Sequence, residues 1–206
     1  LGTVLFNYPV LALFNVSRVR ADYGDSSTAG FVLTDRDQGR RRNTVLAADT
    51  RLVFGRLYFM RAQAGDSRTG DADTHTAPIW HLEFDRTGRA WGFNHRITGM
   101  GTGFESDAGY VPRNDVVDAH TFNRASFYGA PGDLLEQISF IAGARGIWPY
   151  REFASRGPAE SALELNAEAR LRGGWTVGAE GARSSFRHPA GAFSRFARAG
   201  DPSGRP

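Results

Sequence analysis

The residue types best suited to chemistry are three carboxylates at a spacing of four, Glu160, Glu164 and Glu168. Paired carboxylates about 5–10 Å apart can hydrolyse a glycosidic bond, one as acid and the other as base or nucleophile. On an extended strand, residues i and i+4 stand about 13 Å apart. That is too far for a pair to act without a partner from another strand. The expected role of the three is a row of charge, balanced by Arg170, Arg172 and arginines on neighbouring strands. The five histidines are His75, His81, His95, His120 and His188, and none stands in an HExxH arrangement. His81, beside Trp80 and two residues from Glu83, reads as a solvated or lumen-lining side chain. Asp66, Asp71 and Asp73 offer hard oxygen atoms in a glycine-containing loop, but their spacing fits no calcium motif.

Other signatures fall away in the same manner. There is no G-x-S-x-G elbow. Gly99-Met100-Gly101-Thr102-Gly103 lacks the following helix that a dinucleotide loop needs, and is expected to be the flexible start of a long loop. Asn15-Val16-Ser17 has the form of a glycosylation acceptor but lies inside a predicted strand. Cysteine is absent, which excludes disulfides, thiolate metal sites and cysteine nucleophiles. All 25 basic residues are arginine, so lysine-dependent phosphate loops and Schiff bases are excluded as well. No catalytic residue, metal or cofactor is expected, and the sequence does not read as an enzyme.

The 206 residues carry a net charge of +3. Arginines are spread from Arg18 to Arg205, and the only run, Arg40-Arg41-Arg42, sits beside Gly39 like a loop tip. No basic face is concentrated enough to predict a nucleic-acid partner. No run of about 18 apolar residues exists, so a membrane-spanning helix is excluded. The chain starts at Leu1 without a signal peptide and ends in a Pro/Gly/Arg-rich stretch, which reads as part of a longer protein.

The elements that must position these residues are strands. From Ser161 to Arg172, Leu163, Leu165, Ala167, Ala169 and Leu171 alternate with Glu164, Asn166, Glu168, Arg170 and Arg172. Successive side chains of a strand point to opposite faces, so one face is apolar and the other ionised; as a helix the segment would mix both around the cylinder. Leu46 to Phe54, Trp80 to Asp85, Tyr58 to Ala64 and Gln137 to Arg145 repeat the theme. Template matching predicts about ten strands, over 10–22, 26–35, 43–55, 57–66, 77–86, 89–100, 115–129, 133–147, 159–172 and 174–187. Short turns alternate with longer polar loops over 36–42, 67–76, 101–114 and 148–158. That asymmetry, with strand cores of about 10–13 residues, is what transmembrane β-barrels show. Tyr58, Trp80, Trp91, Tyr128, Trp148 and Trp175 lie near strand ends, as in an aromatic girdle.

Two blocks carry a family likeness. One runs through Arg18-Val19-Arg20, Ser26-Ser27-Thr28-Ala29-Gly30, Thr34-Asp35-Arg36, Asn43 and Ala48-Asp49. The other is Gly103-Phe104 with Gly109-Tyr110-Val111-Pro112-Arg113-Asn114-Asp115. Together, over roughly Asn15 to Phe127, they resemble the C-terminal barrel region, a domain of unknown function, of bacterial outer-membrane proteins with an N-terminal family-9-like carbohydrate-binding domain. The resemblance implies an outer-membrane location and a sugar link that belongs to that other domain. Two departures stand out: the carbohydrate-binding domain is absent from these residues, and no terminal strand with a final aromatic closes the chain.

The expectation is therefore an all-β, antiparallel up-and-down transmembrane β-barrel, about ten strands of a larger barrel. Residues 1–187 form the barrel region and 188–206 a polar loop or tail. Asp49, Arg51, Glu83, Glu164, Asn166, Glu168, Arg170 and Arg172 are expected to line the lumen. The partners are outer-membrane lipid and, through a separate domain, carbohydrate; the role is anchor or passage. The alternative is a soluble β-sandwich or barrel that binds a sugar on Trp80, Trp91 or Trp175, with the Leu163–Leu171 face covered by protein. A glycoside hydrolase would need two carboxylates converging in one cleft.

Overall fold

The computed structural model describes residues 11–70 and 73–188. Ten strands follow one another: β1 (Leu13–Tyr23), β2 (Ser27–Gln38), β3 (Arg41–Phe54), β4 (Tyr58–Gly70), β5 (Thr74–Arg86), β6 (Trp91–Met100), β7 (Val116–Tyr128), β8 (Leu135–Pro149), β9 (Glu160–Leu171) and β10 (Trp175–Phe186). Each pairs antiparallel with the next in a single meander, β1 through β10. The sheet is open. Among the described residues β1 pairs only with β2, and β10 only with β9.

Alternation makes two faces, and the register keeps them separate across all ten strands. One row of partners runs Arg20, Gly30, Asp49, Gln63, His81, Thr98, Asp118, Ile147, Glu160 and Phe186. The row on the opposite face runs Val19, Phe31, Ala48, Ala64, Trp80, Gly99, Val117 and Trp148. A slip of one residue at a strand such as β3 or β9 would move its leucines onto the charged face, so the pattern itself pins the register. Irregularity is confined to a bulge at Leu135/Gln137, near the start of β8.

Two of the four expected long loops are strand instead. β2 continues to Gln38 and β3 begins at Arg41, leaving a two-residue turn; β4 continues to Gly70. The polar residues there face one another in the ladder: Arg42 donates to both Asp35 carboxylate oxygens at 2.8 and 3.0 Å, and Thr44 donates to Asp35 at 2.6 Å. Backbone hydrogen bonding is indifferent to side-chain polarity, so a polar strand extension and a polar loop look alike in sequence. Loop length therefore does not alternate strictly. The long connections are 101–115, between β6 and β7, and 150–159, between β8 and β9.

No second layer of sheet or helix covers either face among the described residues. The buried apolar cluster is small, with Val45, Ala77 and Phe104 at its centre and Ile79, Met100 and Val111 against it. It lies where the 101–115 loop folds back onto β3 and β5.

Candidate functional site

Seven of the eight residues expected to share a face do so by register: Asp49, Arg51, Glu83, Glu164, Asn166, Glu168 and Arg170. Arg172 does not. It stands in the turn after β9, where its guanidinium donates to the Gly132 carbonyl at 3.1 Å. This face is laced by cross-strand ion pairs. Arg18 meets Asp49 at 2.7 Å, Arg61 meets Glu83 at 2.8 Å, and Arg145 grips both oxygens of Asp118. The Asn94 amide donates to Glu83 at 2.7 Å and to Asp85 at 3.1 Å, holding two carboxylates against one nitrogen. His81 shares a hydrogen bond with Thr98 at 2.8 Å on the same face. Most of these groups are partly exposed, so each pair contributes only about 0–1 kcal/mol, and their common effect is to order a hydrated surface.

Glu180 was invisible as a member of this set until the strands were paired. On β10 it faces Asn166 and lies diagonal to Glu164 and Glu168, at the about 7–8 Å spacing of such neighbours. The alternation of Glu180 with Ala179 and Gly181 in the sequence was the signal available. All three carboxylates are exposed. Glu164, Asn166, Glu180 and His120 border a hollow of about 690 Å3 above Gly143.

The opposite face is apolar over a band. Leu163 is 59% exposed and Leu165 66%, and Leu46, Leu82, Phe31 and Phe140 are also exposed. Ala48, Ala62, Ala64, Ala119, Ala142, Ala144, Ala167 and Ala169 fill the spaces between them. Polar interruptions within the band are few: His95 shares a 2.5 Å hydrogen bond with Thr121, and Asn123 and Arg183 are exposed.

At the short-turn end this apolar face closes on a ring cluster. Phe54 stacks on Tyr58 and Phe84, with centroids 5.7 and 6.1 Å apart, and Phe84 meets Phe93 at 5.1 Å. The Arg86 guanidinium lies over both Tyr58 and Trp91, 5.5 and 4.7 Å from their centroids. Trp175 stands at the same end and Trp148 marks the other, next to the last residue of β8; Trp80 sits at the middle of β5, away from the strand end where the sequence put it. The indole of Trp80 donates to the Tyr150 hydroxyl at 3.1 Å, and that of Trp148 to the Arg156 carbonyl at 3.1 Å. Tyr128 departs from the expected girdle: its register partner is Gln137, which puts it on the charged face. Trp80, Trp91 and Trp175 do not form one stacking platform: Trp80 is at the middle of β5, and Trp91 and Trp175, both at the short-turn end, are four strands apart on β6 and β10.

The 101–115 loop is the part that sequence reasoning read least well. It is anchored from its first residue, with Gly101 N–H donating to Pro78 at 2.8 Å and Phe104 N–H to Gly101 at 3.1 Å. Phe104 is buried between Val45 and Ala77. On the charged face, Asn43, Ser67 and Thr69 are buried beneath the loop. Asn43 donates to the Thr69 hydroxyl at 2.7 Å and the Glu105 carbonyl at 3.1 Å, and accepts from Asp107 N–H at 2.9 Å. Ser67 accepts from Glu105 N–H at 3.2 Å. Arg36 and Arg41 reach Asp107 and Glu105, and Arg113 reaches Glu160 on β9 at 2.6 Å.

The three aspartates considered for calcium do not share a loop. Asp66 lies within β4 opposite Leu46 and Pro78, Asp73 precedes β5, and Asp71 falls outside the described residues. Among the described residues no group of three or more acidic or histidine side chains is placed to hold a metal ion. Residues 189–206 of the expected tail are outside the described residues too.

No family model matches the chain, and neither the curated proteins nor the solved structures compared with it give a match.

Proposed function

We propose that this sheet is the wall of a β-barrel in a bacterial outer membrane, its apolar face against lipid and its charged face toward an aqueous lumen. It serves as anchor or passage for a protein whose carbohydrate-binding domain is separate. Further strands complete the ring. The observation that carries this reading is the uncovered apolar face, of which Leu163 and Leu165 are the plainest members. A water-soluble sandwich would bury that surface under a second sheet. Contiguous apolar area of this extent marks a surface made for a partner or a membrane.

Dimensions support the same reading. The apolar runs Leu46–Phe54 and Leu163–Leu171 are nine residues long, about 27 Å along the strand. The Arg20-to-Phe186 row starts three residues from the short-turn end of β1 and finishes eleven residues from that of β10. That climb implies strands tilted by about 30°, near the about 35–45° of closed barrels. Tilt reduces the band to about 23 Å, close to the about 25 Å apolar belt of outer-membrane barrels. The ring cluster with Arg86 among Tyr58 and Trp91 suits the headgroup layer, where amphipathic rings and a snorkelling cation both find water.

The carboxylates do not support a hydrolase. Glu164, Glu168 and Glu180 are exposed along a sheet face, an arrangement that suits a hydrated charged wall more than a cleft enclosing a sugar. The test of the membrane reading is fractionation of the full-length protein. Recovery in detergent-extracted outer membrane, with a folded form that migrates faster on unheated than on boiled SDS gels, is expected. Recovery in the soluble periplasm overturns it.

A further inference from the structure

We infer that the 101–115 loop is a fixed constriction of the passage rather than an arm displayed to the outside. The inference rests on the wall reading above, which makes the charged face the lumen side. Two facts place the loop there. Phe104 packs with Val45 and Ala77 in the buried apolar cluster of the described residues, so that cluster holds this loop to that face. Asn43, Ser67 and Thr69 are 1%, 0% and 1% exposed; Asn43 and Ser67 hydrogen-bond the loop backbone, Thr69 accepts from Asn43, and Ser67 also donates to the Ala77 carbonyl of β5. An arm in free solution would leave these three side chains to water.

The loop also reaches widely. Its ion pairs run from Arg36 on β2 to Glu160 on β9, with its own strands β6 and β7 in between. Whatever number of strands completes the ring, a solute moving along the charged face at this end must pass a segment fifteen residues long. The acidic groups of the loop, Glu105 and Asp107, are neutralised by Arg41 and Arg36. Restriction by width therefore outweighs selection by charge at this point, and the ligand class is any small hydrated solute that fits beside the loop.

The experiment uses the full-length protein reconstituted in planar bilayers, with heat-dependent gel migration recorded for every variant. One variant replaces residues 102–113 by a short Gly-Ser linker; the other is N43A/S67A, which removes the clamp and keeps the loop. Single-channel conductance is expected to rise at least about twofold on loop replacement, with N43A/S67A between it and the unaltered protein. Trypsin is expected to cut after Arg113 faster in N43A/S67A. Equal conductance in all three proteins overturns the inference. Heat-dependent migration without channels in any of them overturns it and leaves the anchor role. Loss of heat-dependent migration in the unaltered protein overturns the wall reading itself.

Discussion

Arg18 on β1 reaches across β2 to Asp49 on β3, 2.7 Å away, by passing over Gly30. A Cβ on Gly30 would lie 2.7 Å from the Arg18 guanidinium nitrogen. The glycine is thus the gap through which an edge strand is tied to the third strand. Gly30→Val should displace the guanidinium and release that tie. The expected loss is small, about 0.2–1 kcal/mol, because Arg18 is 45% exposed. Hydrogen exchange localises it: β1 amides should exchange faster while those of β4 and β5 keep their protection. Unchanged β1 exchange would show that the pair does not hold the edge.

A second glycine carries a ring. A Cβ on Gly99 would stand 2.1 Å from the Trp80 indole, which occupies the space beside β6 and donates to Tyr150. Gly99→Ala should push the indole off this strand and break its bond to the β8–β9 connection. Overpacking of this kind costs about 1–3 kcal/mol. A shifted Trp emission maximum in a variant retaining only Trp80, with a lower unfolding midpoint, is the expected result.

The two faces should respond oppositely to charge. Leu165→Arg puts a cation on the apolar band of β9, which for a lipid-facing site near the midplane costs about 2–4 kcal/mol. The same change on a surface in water costs close to nothing. Urea titration in liposomes separates these outcomes. Glu168→Gln, on the charged face of the same strand, is the control and should leave the midpoint within about 0.5 kcal/mol.

Beyond the apolar band, Asp35 is held below its ordinary pKa, first by its hydrogen bonds from Arg42 and then by that from Thr44. A carboxylate with a lowered folded-state pKa stabilises the fold above its ordinary range, and that contribution is lost as pH falls through the lowered value. Carboxyl NMR should find the Asp35 midpoint under 3.8 in the intact protein and closer to 3.8 in Arg42→Ala. A midpoint that ignores the substitution would separate Asp35 from Arg42.

Much of the sheet was legible from side-chain period alone. The Leu163–Leu171 alternation marks β9 because five apolar residues at every second position leave no other regular reading. What hydropathy could not distinguish was residues 36–38 and 41–42, polar stretches that lie on strands, from a polar loop. The clamp was hidden for a different reason. Asn43, Ser67 and Thr69 look like ordinary surface residues of two strands, and nothing local says that a loop more than thirty residues later settles on them. Glu180 joined Glu164 and Glu168 only through the β9–β10 register. Composition reported the two faces; long-range pairing reported who meets whom.

The outer rims of β1 and β10 present eleven and twelve residues with one side of the backbone ladder unmatched among the described residues. Water can satisfy such amides and carbonyls, but hydrocarbon offers nothing in exchange. For a wall that lives in lipid, these rims dictate the order of assembly. Each must be zipped to another strand before or while the sheet leaves water, so biogenesis has to bring a template to a bare flank, and the seam is the last bond made.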